Sequence, residues 1–205
     1  AATGQLVLKG LGDLHLKMKL RLLKDRYGVD VNTEQPKVAY KETITGQAEG
    51  HHRHKKQSGG RGQYGDAVVS VCPITVEEAE AEELKYKNGI VFVDGIAGGV
   101  IPREFIPSVE VGVRNAAASG VIGGYPLINV RVDLTFGSYH DVDSSQVAFE
   151  QAGSLAFREA VMKAGPALLE PIMKLTVTTP DEYFGTVSGD ISSRRGHIVD
   201  SEIRG

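Results

Sequence analysis

Three groups of residues in this sequence have types and spacings that could support chemistry. The first is a histidine-rich basic segment, HHRHKK, from His51 to Lys56. The second is a glycine-rich run, SGGRGQYG, from Ser58 to Gly65. The third is a polar loop, GSYHDVDSS, from Gly137 to Ser145. They suggest, in turn, a metal site, a phosphate cradle and a hydrolytic triad, and each has a plainer structural alternative.

The histidine-rich segment is a weak candidate for a metal site. On a strand, His52 and His54 would share one face, while His51 and Arg53 would point to the other. Two imidazoles fall short of the four ligands of a structural zinc site and the three of a catalytic one. The two lysines that follow would also repel a cation. The segment therefore favours a basic strand that faces RNA, and a solvated strand is the alternative.

The glycine-rich run could bring backbone N–H groups close to an anion, because glycine has no side chain to obstruct the approach. Its spacing fits a flexible hairpin turn equally well. Arg61 carries a planar guanidinium that suits a phosphate or a base edge, and Gln63 suits a base edge. Tyr64 is expected in the core, and stacking on a base is its alternative.

The polar loop is a poor candidate for a hydrolytic triad. The members of a triad must converge in space, and His140, Asp141 and Ser144 lie too close together on one loop to do so easily. We expect Asp143 and Ser144 to cap the following helix instead, with Asp143 and Gln146 as a capping box. His140 is then left exposed at the end of the loop.

The composition is typical of a globular protein with a real core. The chain has 205 residues, of which 41% are hydrophobic and 24% charged. The one cysteine, Cys72, cannot form an internal disulfide, which suits a reducing cytoplasm. No segment approaches the roughly 18 apolar residues of a membrane span. We expect no signal peptide, no membrane association and a cytoplasmic location.

The charge is unevenly distributed along the chain. A net charge of −3 argues mildly against binding to nucleic acid. Between His51 and Gly65, however, there is no acid, and the fixed positive charges are Arg53, Lys55, Lys56 and Arg61. Between Glu77 and Glu83 there are five glutamates and no base, which indicates a solvated loop or short helix. The total therefore hides a basic segment that could meet an anionic partner.

The apolar pattern predicts an α+β fold with a central domain between two strand–helix–strand units. The N-terminal unit has strands at 5–9 and 29–33 around a helix at 14–27 that ends at Gly28. The C-terminal unit has strands at 172–178 and 197–203 around a helix capped by Thr179. In the central domain, strands are predicted at 39–45, 66–71, 90–93 and 128–134, and helices at 107–119 and up to Lys163.

The same residues resemble the elongation factor G family of translational GTPases. GLGDLHLKMKLRLLKDRYGVDV resembles the end of the third domain of that family, and PKVAYKETIT its junction with the fourth. Four further segments resemble successive parts of the fourth and fifth domains: SGGRGQYG, GGVIPREFIPSVEVGV, GSYHDVDSS and LEPIMKLTVTTPDEYFGTVSGDISSRRG. These segments occur in family order over nearly the whole chain.

The resemblance implies three structural parts. Residues 1–35 would be the second half of the third domain, which is ferredoxin-like, and residues 170–205 the first half of the ferredoxin-like fifth domain. Residues 36–169 would be a complete fourth domain, a sheet packed on two helices in a fold shared with a small-subunit ribosomal protein. We expect at least one of the two half-domains to be ordered through pairing, either within the chain or with a second copy.

The resemblance also implies the partners and the residues that meet them. In the family, the fourth domain mimics the anticodon limb of tRNA, and two loops at its tip enter the small-subunit decoding site; here these are 58–65 and 137–144. The implied RNA-binding residues are Arg53, Lys55, Lys56, Gly60, Arg61, Gly62, Gln63, Ser138, His140 and Asp141. Further partners are tRNA, mRNA and the factor site of the large subunit.

The implied function is the promotion of tRNA–mRNA translocation by a parent GTPase. The phosphate-binding pattern GxxxxGKS or GxxxxGKT does not occur in these residues. The resemblance therefore places GTP and Mg²⁺ in another domain of the parent, and we expect this chain to be no enzyme and to hold no cofactor. The alternatives are ribosome recycling, a stress role or ribosome protection and, outside the family, an enzyme that uses the histidines or the glycine-rich run.

Overall fold

The computed structural model describes residues 6–35, 37–57 and 62–202. Its helices are α1 (Asp13–Tyr27), α2 (Val76–Ala81), α3 (Ile106–Ser119), α4 (Gln146–Lys163) and α5 (Phe184–Ser193). Its strands are β1 (Lys41–Ile44), β2 (Ala48–Lys56), β3 (Gln63–Pro73), β4 (Tyr86–Lys87), β5 (Ile90–Asp94), β6 (Val130–Ser138) and β7 (Pro166–Leu169). The chain divides into two compact units, residues 1–171 and residues 172–205.

A five-stranded mixed sheet forms the centre of the first unit, in the order β2-β3-β6-β5-β4. β5 and β6 are parallel, and the other neighbours are antiparallel. A β-bulge interrupts the β3–β6 ladder: Val68 pairs with Phe136 and Val69 with Leu134, so Thr135 is the extra residue on β6. β1 and β7 form a separate antiparallel pair.

Helices α3 and α4 cover one face of this sheet, and the hydrophobic core lies between the sheet and the two helices. Ala67, Val69 and Val71 of β3 are fully buried in the same cluster as Phe149 and Phe157 of α4. The helix approaches the sheet closely, because a Cβ on Gly50 of β2 would collide with the backbone carbonyl of α4 at Ala156. The alternate residues of each strand point to the opposite face of the sheet, which we call the open face.

The predicted centre of the fold is confirmed, with boundary shifts of a few residues. The helix predicted at 107–119 is α3, and the segment predicted to end at Lys163 is α4. The glutamate-rich segment forms the short helix α2, which begins with a capping box between Thr75 and Glu78. β4 and β7 were not predicted, because two- and four-residue strands carry little pattern of their own.

The strands predicted in the two terminal units are wrong for the residues that the structure describes. Segments 6–9, 29–33, 172–178 and 197–202 have no strand assignment. The alternating pattern is present, but a strand also needs a hydrogen-bonded neighbour, and the described chain places none beside them. The helices form as α1 and α5, with Gly28 ending α1 at a φ of 66°.

Two predicted helix caps are also wrong. α4 is capped by Ser145, whose hydroxyl accepts a hydrogen bond from the backbone of Ala148, and not by Asp143 or Ser144. Asp143 instead bonds to another loop. In the C-terminal unit a 3-10 turn, Asp181–Tyr183, precedes α5, so the N-cap residue of the turn is Pro180 and that of α5 is Tyr183, not Thr179.

A buried carboxylate fixes the end of the domain that carries β1. Glu42 is fully buried, and it accepts hydrogen bonds from the backbone N–H groups of Val121 (2.6 Å), Ile122 (3.1 Å), Gly123 (2.7 Å) and Tyr125 (3.0 Å). Burial alone would raise the pKa of Glu42, but the four donors together outweigh it and hold that pKa below its ordinary value. Glu42 is therefore an ionised anchor that joins β1 to the segment after α3.

No described helix combines the length and the apolar character that crossing a membrane requires.

Candidate nucleic-acid interface

The glycine-rich run and the polar loop meet at one end of the five-stranded sheet. β2 ends at Lys56 and β3 begins at Gln63, so the glycine-rich run connects these two antiparallel strands. β6 ends at Ser138, which pairs with Asp66 near the start of β3. Both loops therefore leave the sheet at the same end, as the resemblance implied.

Asp143 joins the two loops. Its Oδ1 accepts a hydrogen bond from the backbone nitrogen of Gly62 at 3.0 Å, and its carbonyl accepts one from the backbone nitrogen of Tyr64 at 2.8 Å. A Cβ added to Gly62 would lie 2.8 Å from the carboxyl carbon of Asp143, so a larger residue there would displace the Asp143 carboxylate. The contact fixes the described end of the glycine-rich run against the polar loop.

Hydrogen bonds within the polar loop fix the orientation of His140. Its Nδ1 accepts hydrogen bonds from the backbone nitrogens of Val142 and Asp143, each at 3.2 Å. A ring nitrogen that accepts carries no proton, so in the neutral imidazole the proton is on Nε2. The His140 side chain is 54% exposed. His140 thus presents an N–H donor on a constrained ring.

The geometry of the loop contradicts a triad. The hydroxyl of Ser144 contacts the backbone nitrogen of His140, from which it accepts a hydrogen bond at 2.9 Å. Nδ1 of His140 meets backbone amides, and the nearest oxygen of Asp143 lies 3.8 Å away. His140 and Ser144 thus stabilise the conformation of the polar loop through hydrogen bonds with its backbone.

A concave surface of about 260 Å³, which we call the tip concavity, lies between the two loops. It is lined by Lys55, Lys56, Gln57, Gly62, Gln63, Tyr64, His140 and Asp143. The volume is below the roughly 300–1,000 Å³ of ordinary small-molecule pockets. Two lysines, two amides and an imidazole are suited to a phosphate or a base edge.

The structure brings together several of the residues that were predicted to bind RNA and places others elsewhere. Those that line the tip concavity are Lys55, Lys56, Gly62, Gln63 and His140. Asp141 is exposed on the polar loop. Arg61 and Gly60 lie outside the described residues, so their predicted roles stay predictions. Arg53 and Ser138 lie beside the concavity, in a cluster that the sequence did not predict.

That cluster, the Asp66 cluster, is centred on a carboxylate that is only 1% exposed. Asp66 Oδ1 lies 2.7 Å from Nε2 of His51, and Oδ2 accepts from the Ser138 hydroxyl at 2.6 Å. Arg53 donates to the same Oδ2 through Nε and Nη2, each at 3.4 Å. The Tyr64 hydroxyl is 2.7 Å from that of Ser138. The sequence feature that could have indicated this cluster is an acidic residue, Asp66, immediately before the apolar run AVVSV.

The remaining histidines lie as the strand pattern predicted. His52 and His54 are half-buried on the face that α4 covers, while His51 and Arg53 are on the open face. Burial chiefly, with the neighbouring His54 next, lowers the pKa of His52, which keeps it neutral near pH 7. Among the residues that the structure describes, no group of three potential ligands is arranged around a common point for a metal ion.

Comparisons with known proteins give one consistent result. Three family models match consecutive parts of the chain: Elongation Factor G, domain III, at residues 1–35; Elongation factor G, domain IV, at 36–165; and Elongation factor G C-terminus, at 167–205. The chain is 51% identical over 203 residues to an elongation factor G of Aquifex pyrophilus, a match that covers 99% of this chain and 28% of that protein.

A solved structure agrees with the family models. The fold is similar to that of a protein from Thermus thermophilus known from a crystal structure, with a TM-score of 0.81 and 42% identity. The match covers 100% of this chain and 29% of the other. The chain therefore spans less than a third of the length of both similar proteins.

Proposed function

Because this chain belongs to the elongation factor G family, we propose that it is the RNA-contacting portion of a translational GTPase that moves tRNA and mRNA on the ribosome. The chain spans 28% of its Aquifex relative, so the activity proposed is that of a longer parent. In that parent GTP and Mg²⁺ are bound outside these residues. The proposed division is 1–35, 36–169 and 170–205, for parts of the third, fourth and fifth domains.

The observation that supports this proposal best is the tip concavity. It combines two ammonium groups with an imidazole and amide groups, and those groups can bond to phosphate oxygens and base edges. One carboxylate is present, that of Asp143, and one of its oxygens is already bonded to Gly62. The concavity is therefore suited to an anionic, hydrogen-bonding partner.

The rigidity of the tip also favours this function. A loop that becomes ordered only on binding loses affinity, at about 0.5–1.5 kcal/mol for each immobilised side chain. Here Asp143 joins the loops and backbone amides orient His140 before any partner arrives. Because its described loops are already held in place, the tip can act as a firm surface against a moving RNA.

The remaining assignments depend on the family. We propose the small-subunit decoding site as the partner of the tip and the large-subunit factor site as a partner of residues 170–205. The proposed location is the cytoplasm, where ribosomes and GTP are available. The chain itself is proposed to bind neither nucleotide nor cofactor and to catalyse no reaction.

A domain exchange tests the proposal. This chain would replace the corresponding residues of an elongation factor G that is known to translocate, and single-turnover translocation and ribosome-stimulated GTP hydrolysis would be measured. We expect both activities to be retained. A chimera that hydrolyses GTP but neither binds the decoding site nor moves tRNA would overturn the proposal, and a chimera that instead splits ribosomes would indicate a recycling role.

A further inference from the structure

The Asp66 cluster occupies the open face of the sheet directly beside the tip. Asp66 lies on β3 between its two opposite residues, Arg53 on the edge strand β2 and Ser138 on β6. A buried carboxylate is costly unless donors satisfy it, and here three side chains do so. The arrangement fixes three strands relative to one another at the point where both loops begin.

The two basic members of the cluster remain accessible. The side chain of Arg53 is 57% exposed and that of His51 is 50% exposed, whereas that of Asp66 is 2% exposed. Arg53 contacts Asp66 through Nε and Nη2, so Nη1 is not used in this contact. His51 likewise uses one ring nitrogen of two. Each side chain is held at one end and offers the other to solvent.

The row of side chains continues into the tip concavity. His51, Arg53 and Lys55 alternate along β2 on the same face, and Lys55 lines the concavity. An RNA backbone that reaches the concavity at Lys55 would therefore pass over Arg53. Arginine loses substantial rotamer entropy when it is immobilised, and an arginine that is already held loses less.

We propose that Asp66 is a positioning residue that holds Arg53 and His51 for contact with RNA phosphates along the open face of β2. This inference rests on the proposed function, because it assumes that RNA reaches the tip. Asp66 itself does not contact the RNA and acts through Arg53 and His51. A simpler view of Asp66 as a negative charge near a basic surface predicts the opposite effect, since removing an anion should strengthen binding to phosphates.

The test measures binding of the 205-residue chain to a fluorescein-labelled RNA hairpin by anisotropy. Asp66→Asn is compared with Glu49→Gln, which removes the same charge from the paired strand β2 at an exposed position. We expect Asp66→Asn to weaken binding by about threefold to tenfold, and Glu49→Gln to leave binding unchanged or strengthen it slightly. Thermal unfolding of both variants verifies that they are folded.

A double-mutant cycle with Arg53→Ala separates positioning from a general effect on the fold. We expect Asp66→Asn to have a much smaller effect on binding once Arg53 is absent, because only His51 then remains to be positioned. Should Asp66→Asn fail to fold, Arg53→Lys takes its place, since it keeps the positive charge but gives up the two-nitrogen contact with Oδ2; we expect it to weaken binding.

Two results would overturn the inference. In the first, Asp66→Asn binds as tightly as the wild type or more tightly, as Glu49→Gln does. In the second, Asp66→Asn weakens binding equally with and without Arg53. A wild-type chain that binds no RNA would reject the proposed function and this inference together, which distinguishes that failure from the other two.

Discussion

The Oδ1 atom of Asp143 lies 3.0 Å from the backbone nitrogen of Gly62, and this contact joins two loops that are 81 positions apart in the sequence. The carbonyl of Asp143 also accepts a hydrogen bond from Tyr64. The described part of the tip is therefore held together by these contacts, and its residues should respond to mutation together.

Replacing His140 with alanine in the full-length parent should slow translocation by about tenfold, equivalent to about 1.4 kcal/mol of lost transition-state stabilisation. Ribosome-stimulated GTP hydrolysis should change little, because His140 belongs to the tip. Lys55→Ala and Arg61→Ala should act in the same direction. Lys163→Ala, at the far end of α4, is the matched control, and single-turnover translocation at normal speed in all three tip variants would contradict the assignment.

Replacing Asp143 with alanine should loosen the connection between the loops. The backbone N–H of Gly62 loses its acceptor, and we expect a loss of about 0.5–1.5 kcal/mol in the free energy of unfolding. Hydrogen exchange should accelerate at Gly62 but less at Tyr64, whose acceptor is the backbone carbonyl and survives the change. Equal protection of Gly62 in the variant and the wild type would show that the contact does not fix the loop.

Replacing Glu42 with glutamine should destabilise the domain by about 2–5 kcal/mol at neutral pH, because two of the four backbone donors then face an amide NH2 group in a buried site and the other two lose a charged acceptor. The pKa of Glu42 is lowered in the folded protein, so its contribution is fully present above the unfolded pKa and is lost as the pH falls through the folded value. Urea denaturation of both proteins at neutral and acid pH measures the difference, which should shrink in acid. A constant difference would rule out this linkage.

Binding of the isolated chain to RNA should be weak, with a shallow salt dependence. Roughly four to six positive groups at most can face phosphates together, so the log–log slope should be about −3 to −5. Lys55→Ala should reduce the magnitude of the slope by about 0.7–0.9, and Lys163→Ala should not. A slope near about −10 would mean that a much larger basic surface takes part.

The isolated chain should also self-associate through its terminal helices. Leu14, Met18 and Leu22 of α1 are 73%, 64% and 46% exposed, and α1 has no buried residue. Covering three such side chains is worth about 1.5–3 kcal/mol each. Sedimentation should depend on concentration, and Leu14→Asp with Met18→Asp should abolish that dependence. A monomer in which protease trims both ends near 34–36 and 168–171 would exclude pairing.

Sequence patterns were sufficient for the longer elements of the central domain but not for the short strands β4 and β7, and the meeting of the two loops was implied by the family resemblance. The patterns were also insufficient for the contacts that hold the tip. Asp66, Asp143 and Glu42 each satisfy a carboxylate with partners that lie far away in the chain, and hydrophobic periodicity says nothing about such partners. Asp143 was predicted to cap the following helix because a cap is the role that neighbouring residues in the sequence suggest.

The prediction of strands in the two terminal units was wrong for a related reason. Alternation of apolar residues describes the faces of one segment, and a strand exists only when a second segment supplies hydrogen bonds. α1 and α5 needed no such partner, since a helix satisfies its backbone internally. Local patterns thus predicted the helices of the terminal units and over-predicted their strands.

The extra residue on β6 has a consequence for how this protein can change in length. Before Thr135, the even-numbered residues Val132 and Leu134 face the helices; after it, Gly137 does, and Ser138 turns to the open face. Deleting Thr135 alone would place Leu134 directly before Phe136 and restore regular pairing with Val69 and Val68, so Gly137 and Ser138 would keep the faces they have now. A single-residue deletion in this strand should therefore be acceptable at the bulge, whereas deletion of Gly137 would turn Ser138 to the face that the helices cover and away from Asp66.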